Sequence, residues 1–210
     1  MSLKRAPDMN ELPFPFGIFA IVMALAAAVY FGWNAYKARR AAWAEFAQRH
    51  GMQTRGLRIE GSYDGYPLTV ETQSRGSGQS RYKVAVLHLS VESALPIDFS
   101  LEREGVGDKI LRFFGQEDAQ LGDADFDKYF DLKNLSSAAA SVLRHQGVQQ
   151  HLYELASHYR DFHIRNGWLQ AEQRKVPFTA DELEDFTGPA LMLAHTLDEA
   201  SKRSNRWTTS

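Results

Sequence analysis

The residues best suited to chemistry lie in one short run, "LGDADFDKYFDL", residues 121–132, which carries Asp123, Asp125, Asp127 and Asp131. Carboxylates at alternate positions are what a calcium loop presents to a hard cation. An EF-hand requires D-x-[DN]-x-[DN]-G and a bidentate glutamate at the twelfth place. Counted from Asp123, the sixth residue is Lys128 and the twelfth is Asn134. The spacing fails at the glycine that turns the loop and at the glutamate that closes the coordination shell. Phe126, Phe130 and Leu132 share one parity, and Asp125, Asp127, Tyr129 and Asp131 share the other. That alternation predicts a strand with an apolar inner face and an acidic outer one. Gly122-Asp123 would form the preceding turn, and the acidic edge would discourage strand-to-strand aggregation.

A second group, His151, Glu154 and His158, falls at i, i+3 and i+7 of a helical stretch, on one helix face. Metal ligands do come from such faces. The pattern is neither H-E-x-x-H nor E-x-x-H, and no second matching pair exists, so an exposed polar face is expected. Asp123, Asp125, Asp127, His151 and His158 are thus the candidates for a metal or acid–base site, none within a complete motif. The sequence has no G-x-S-x-G, no S-x-x-K with its partners, and no Walker or Rossmann glycine pattern. With no cysteine, a disulfide framework, a thiol nucleophile and a thiolate metal site are excluded. No catalytic residue and no cofactor is expected from these patterns.

The elements that must position these groups start with an anchor. Between Glu11 and Lys37 no residue is charged, and "LPFPFGIFAIVMALAAAVYFGWNAY" spans Leu12 to Tyr36. A helix needs about 20 apolar residues to cross the hydrocarbon core. Pro13 and Pro15 stand at its start, where a missing N–H does little harm. Tyr30, Trp33 and Tyr36, followed by Lys37, Arg39 and Arg40, have the make-up of a membrane–water interface. A cleaved signal peptide would have a shorter apolar region and a small-residue cleavage site. Lys4 and Arg5 precede the span, whereas Lys37, Arg39, Arg40, Arg49, Arg55 and Arg58 follow it. The positive-inside bias therefore predicts a C-terminal domain in the cytoplasm, which in a bacterial cell corresponds to an anchor in the inner membrane.

Past the span, "KARRAAWAEFAQRHG" continues a helix to about His50, with Gly51 as its cap. Leu57, Ile59 and Tyr63 alternate into Asp64-Gly65, a type I′ hairpin signal, and Leu68, Val70 and Thr72 return. "RYKVAVLHLSV", 81–91, is apolar on both parities and predicts a central strand. Ile97, Phe99 and Leu101 form another alternating run, and 104–115 predicts a loop or one helical turn. Ser136 or Ser137 caps a helix that Gly147 interrupts, and Val148, Leu152, Leu155 and Tyr159 continue it. Asn166-Gly167 marks the clearest hairpin. Thr179 and Glu182 make a capping box for a last helix, which Gly188-Pro189 kinks or splits. The fold class predicted is α+β: an N-terminal transmembrane helix with a stalk, then one domain with an antiparallel sheet of about seven strands and two or three helices. The divisions are a short segment 1–11, the transmembrane helix 12–36, the stalk 37–51, the soluble domain 52–201 and a polar tail 202–210.

The "GLRIEGSYDGYPLTVET" hairpin, the "LGDADFDKYF" run and the "LYELASHYRDFHIRNGWL" passage resemble a layout found in bacterial single-pass membrane proteins that carry one cytosolic α+β domain. The resemblance spans most of residues 55–170. It implies architecture alone, with no activity or site residue attached to it.

Net charge is −2, so nothing directs the chain to nucleic acid, which calls for a basic face. The expected partners are the lipid bilayer and other membrane proteins, met through the transmembrane helix or the soluble domain. The expected function is a membrane-anchored, non-catalytic accessory module of a membrane complex. A membrane-tethered enzyme, or a ligand- or lipid-binding domain with a non-standard site, is the alternative.

Overall fold

A computed structural model describes residues 14–103 and 120–208. The segment 1–11, the start of the predicted span and the 104–115 loop lie outside the described residues.

The first element, α1 (Phe14–Arg49), is one 36-residue helix, about 54 Å long at 1.5 Å per residue. Its portion from Ile18 to Ala38 is exposed all round, as a helix without a protein partner must be. Its last turns are different. Trp43, Phe46 and Ala47 are buried in the domain core. The helix ends where Gly51 takes φ +65, a conformation that costs glycine little. Met52 N–H then bonds to Ala47 O at 2.7 Å and Gly51 N–H to Gln48 O at 3.2 Å, a Schellman closure. The segment expected to be a stalk is therefore helical, and its lower half is part of the core.

Eight strands form one antiparallel sheet among the described residues, one more than the sequence suggested. They are β1 (Gln53–Thr54), β2 (Arg58–Tyr63), β3 (Tyr66–Arg75), β4 (Tyr82–Ser90), β5 (Ser100–Arg103), β6 (Phe130–Lys133), β7 (Asp161–Arg165) and β8 (Trp168–Gln173), in the spatial order β1-β2-β3-β4-β8-β7-β5-β6. Both predicted tight hairpins form. Asp64 and Gly65 have φ +50 and +89, and Asn166 and Gly167 have φ +54 and +74, as type I′ turns require. The register aligns Ile59, Val70, Leu87, Ala171 and Phe162 in one row across five strands. All five are buried.

Among the described residues four α-helices follow α1, where the sequence suggested two or three: α2 (Ala124–Tyr129), α3 (Ser137–Leu143), α4 (Gln146–His158) and α5 (Ala180–Thr208). The apolar faces of α3, α4 and α5 join α1's lower turns and that sheet face in a single core. Three sequence expectations change here. The expected break between helices falls at Arg144-His145 rather than at Gly147, which lies in the first turn of α4. Gly188-Pro189 does not split α5, which runs unbroken through Pro189. The segment expected as a polar tail, 202–210, belongs to α5 as far as Thr208.

Candidate functional site

The aspartate run is not the predicted strand. Asp123 caps the short helix α2, its carboxylate accepting from Asp125 N–H at 3.1 Å and Phe126 N–H at 3.2 Å. Asp127 accepts from the backbone N–H groups of Leu121 at 2.8 Å and Gly122 at 3.0 Å. An Asp at an N-cap with two more in the first turn answers the orphan N–H groups and dipole of a helix start. The chain becomes a strand only at Phe130, where Asp131 pairs with Glu102 in register and lies 3.4 Å from Lys133. Phe126 and Phe130 still meet, with ring centroids 4.7 Å apart, because both point into the core.

The other candidates do not converge on these. His151 bonds its helix neighbour Glu154 at 2.7 Å, and Glu154, also bonded by Gln150, is held below the ordinary carboxylate range. His158 lies edge-on to Tyr159. Among the described residues no three His, Asp or Glu side chains gather in an arrangement able to hold a metal ion.

The sheet face opposite the core carries what sequence patterns did not single out. Glu60, Thr69, His88, Gln170, His163, Glu102 and Asp131 occupy one register row across seven strands. None of these seven is apolar. Beside the row is a recess of about 360 Å³ lined by Arg58, Thr69, Glu71, His88 and Trp168. Arg58 is bonded to Glu71 at 2.7 Å and also pairs with Glu60. Burial among the strands pushes the His88 imidazole below its ordinary value, and Glu71 partly opposes this. An indole edge, a neutral imidazole and a paired guanidinium suit binding through stacking and hydrogen bonds. A weak sign was present: "VLHLS" places a polar His in an otherwise apolar central strand.

Two further polar clusters tie helices to the sheet. Glu184 accepts from Tyr63 OH at 2.7 Å and faces His50 Nε2 at 2.6 Å. The His50 and Tyr63 rings are 4.1 Å apart. Burial, then the Glu184 carboxylate, drives the Tyr63 phenol above the ordinary tyrosine range. Near the Asp64-Gly65 turn, Asp198 accepts from Tyr66 OH at 2.9 Å and Ser93 Oγ at 2.7 Å, and Tyr66 is pushed up to about 12, first by burial and then by Asp198. A serine nucleophile needs a base in contact with its Oγ. Ser93 Oγ donates a hydrogen bond to the Asp198 carboxylate, a weak base, while the neighbouring His195 contacts Tyr66. These clusters clamp α1 and α5 to the β2–β3 hairpin.

No protein-family model matches this chain, and neither a curated protein nor a solved structure is similar to it at a significant level.

Proposed function

We propose that this chain is a single-pass membrane protein whose domain lies on the cytoplasmic side and serves as a non-catalytic interaction module of a membrane complex. The observation carrying this reading is the continuity of α1. One helix passes from a fully exposed apolar stretch, with mean hydropathy 1.9, straight into the domain core at Trp43. Ile18, Phe19, Leu25, Val29 and Phe31 are each more than half exposed. An apolar surface of that extent calls for a lipid or protein cover, and its length matches a bilayer. The basic residues below it favour a cytoplasmic domain. The row of polar residues on the sheet face away from the core, Glu60 exposed and the other six partly buried, offers a surface for a partner protein.

Protease protection tests the topology. The domain should be digested in inside-out vesicles and protected in intact spheroplasts, and the chain should resist alkaline carbonate extraction. Digestion from outside the spheroplast, or release by carbonate, defeats the reading. A photo-crosslinker at Gln170 tests the module. It should capture a discrete membrane protein, and a chain that forms no adduct and extracts alone is not an accessory subunit.

The recess at His88 and Trp168 favours a second reading, a membrane-tethered ligand-binding domain. A small molecule that protects His88 from diethylpyrocarbonate would support it over a protein partner.

A further inference from the structure

The segment leaving β8, residues 174–179, does not hang free below the membrane helix. The Trp43 indole Nε1–H bonds to Pro177 O at 3.0 Å, and Trp43 is fully buried. One turn nearer the apolar stretch, the Arg39 guanidinium lies 5.1 Å from the centroid of the Phe178 ring. Phe178 nevertheless remains 36% exposed, an aromatic ring only partly covered by protein. Arg174 stacks over Tyr82 at 5.3 Å, and Arg160 stacks on the same ring at 5.5 Å.

The charge on this collar is mainly basic, the exception being Glu182, whose carboxylate accepts from Phe178 N–H at 2.6 Å. No acidic residue lies between Glu11 and Glu45, and none lies between Glu172 and Asp181. Lys37, Arg39, Arg40 and Arg174 make no ion pair among the described residues; Lys37 rests on Trp33. Arg39 Nε is buried without a hydrogen-bond partner. Lys175 alone has a carboxylate, Glu182 at 2.5 Å. Height along α1 says what this surface faces. Arg39 is three residues past Tyr36, roughly 4–5 Å along the axis. The headgroup layer is about 5–7 Å thick on each side of the hydrocarbon core.

We infer that the 174–178 segment is a second membrane contact, in which Phe178 seats at the boundary of headgroups and acyl chains while Arg174, with Lys37, Arg39 and Arg40, binds the phosphates of anionic phospholipids. This rests on α1 being the membrane anchor. The occupant is the lipid surface because the collar continues the apolar span and its charge complements an anionic leaflet, which favours each nearby basic side chain by about fivefold.

The native chain has no cysteine, so one introduced cysteine takes a nitroxide uniquely. Full-length Lys175→Cys and Val29→Cys proteins are labelled and reconstituted in phosphatidylcholine vesicles with and without phosphatidylglycerol. The readout is label accessibility to a water-soluble nickel chelate. The label at 175 should lose accessibility several-fold when phosphatidylglycerol is present, and regain it at high salt. Adding Arg174→Glu should abolish most of that loss, with an unchanged circular dichroism spectrum and the label at 29 still shielded by lipid. Equal accessibility at 175 in both vesicle types, with the label at 29 lipid-shielded, overturns the second contact and leaves the anchor standing. A label at 29 open to the chelate overturns the anchor and this inference together. Protection at 175 that follows protein density rather than phosphatidylglycerol content assigns the surface to a second copy of the chain, and overturns it too.

Discussion

Asp123 shows how a residue that looks chemical can be committed to structure. Its carboxylate holds two N–H groups at the start of α2. Asp123→Ala should therefore lower stability by about 1 kcal/mol, the usual worth of an N-cap. Calcium or a chelator should shift the melting temperature of neither protein; a calcium-dependent rise confined to the native chain would restore the cation reading. His88 yields the opposite lesson, since burial rather than bonding perturbs it. Its folded pKa is depressed, so the unfolded chain binds more protons as pH falls through the ordinary histidine value of about 6.5. The neutral imidazole's contribution is complete above that value and is lost on acidification. The groups facing His88 are Glu71, His163 and Arg58. Thermal unfolding in detergent from pH 7.5 down to pH 5 should show a shallower loss of stability in His88→Gln; an identical slope would mean that other groups carry it.

Among the elements, the two type I′ hairpins and the long helices were legible in the sequence, because each rests on a local rule. Asn-Gly and Asp-Gly supply positive φ wherever they occur, and Thr179 does cap α5, accepting from Glu182 N–H at 3.1 Å. Misreadings arose where local signals compete. Residues 124–129 alternate like a strand, yet two turns of capped helix bury Phe126 equally well, and Asp123 tips the choice. The two-residue strand β1 carries too few residues to show a period. Its place is set by Met52, which packs so near Gly61 that a Cβ there would come within 2.7 Å. The polar row on the sheet was not legible, because beyond the two tight hairpins it depends on the pairings of β4 with β8, β7 with β5 and β5 with β6, which join residues distant in sequence. Within α5, Gly188 is helical and has open space where a Cβ would stand. Gly188→Ala should raise stability by about 0.5–1 kcal/mol by removing unfolded-state freedom. A lower melting temperature would show that the helix needs its glycine beside Pro189.

At the scale of the whole molecule, the boundary between the exposed apolar stretch of α1 and the domain does not fall where charge and hydropathy change. Trp43 and Phe46 belong to the core, and truncating a core aromatic typically costs about 3–5 kcal/mol. A fragment 37–210 should fold and remain in solution without detergent. A fragment 51–210 should expose its core and aggregate or bind hydrophobic dyes. Cooperative unfolding of the shorter fragment would show that the lower turns of α1 are dispensable.

The Schellman closure at Gly51 and the contacts of Glu184 with His50 and Tyr63 tie the end of α1 to β2 and α5, so no unstructured linker separates the apolar helix from the domain. If α1 spans a bilayer as proposed, the domain would move with it as a lever arm, so that a change in the lean of the helix, from bilayer thickness or a neighbouring helix, re-aims the polar sheet face. On that reading membrane thickness would reach the polar sheet face as a mechanical input.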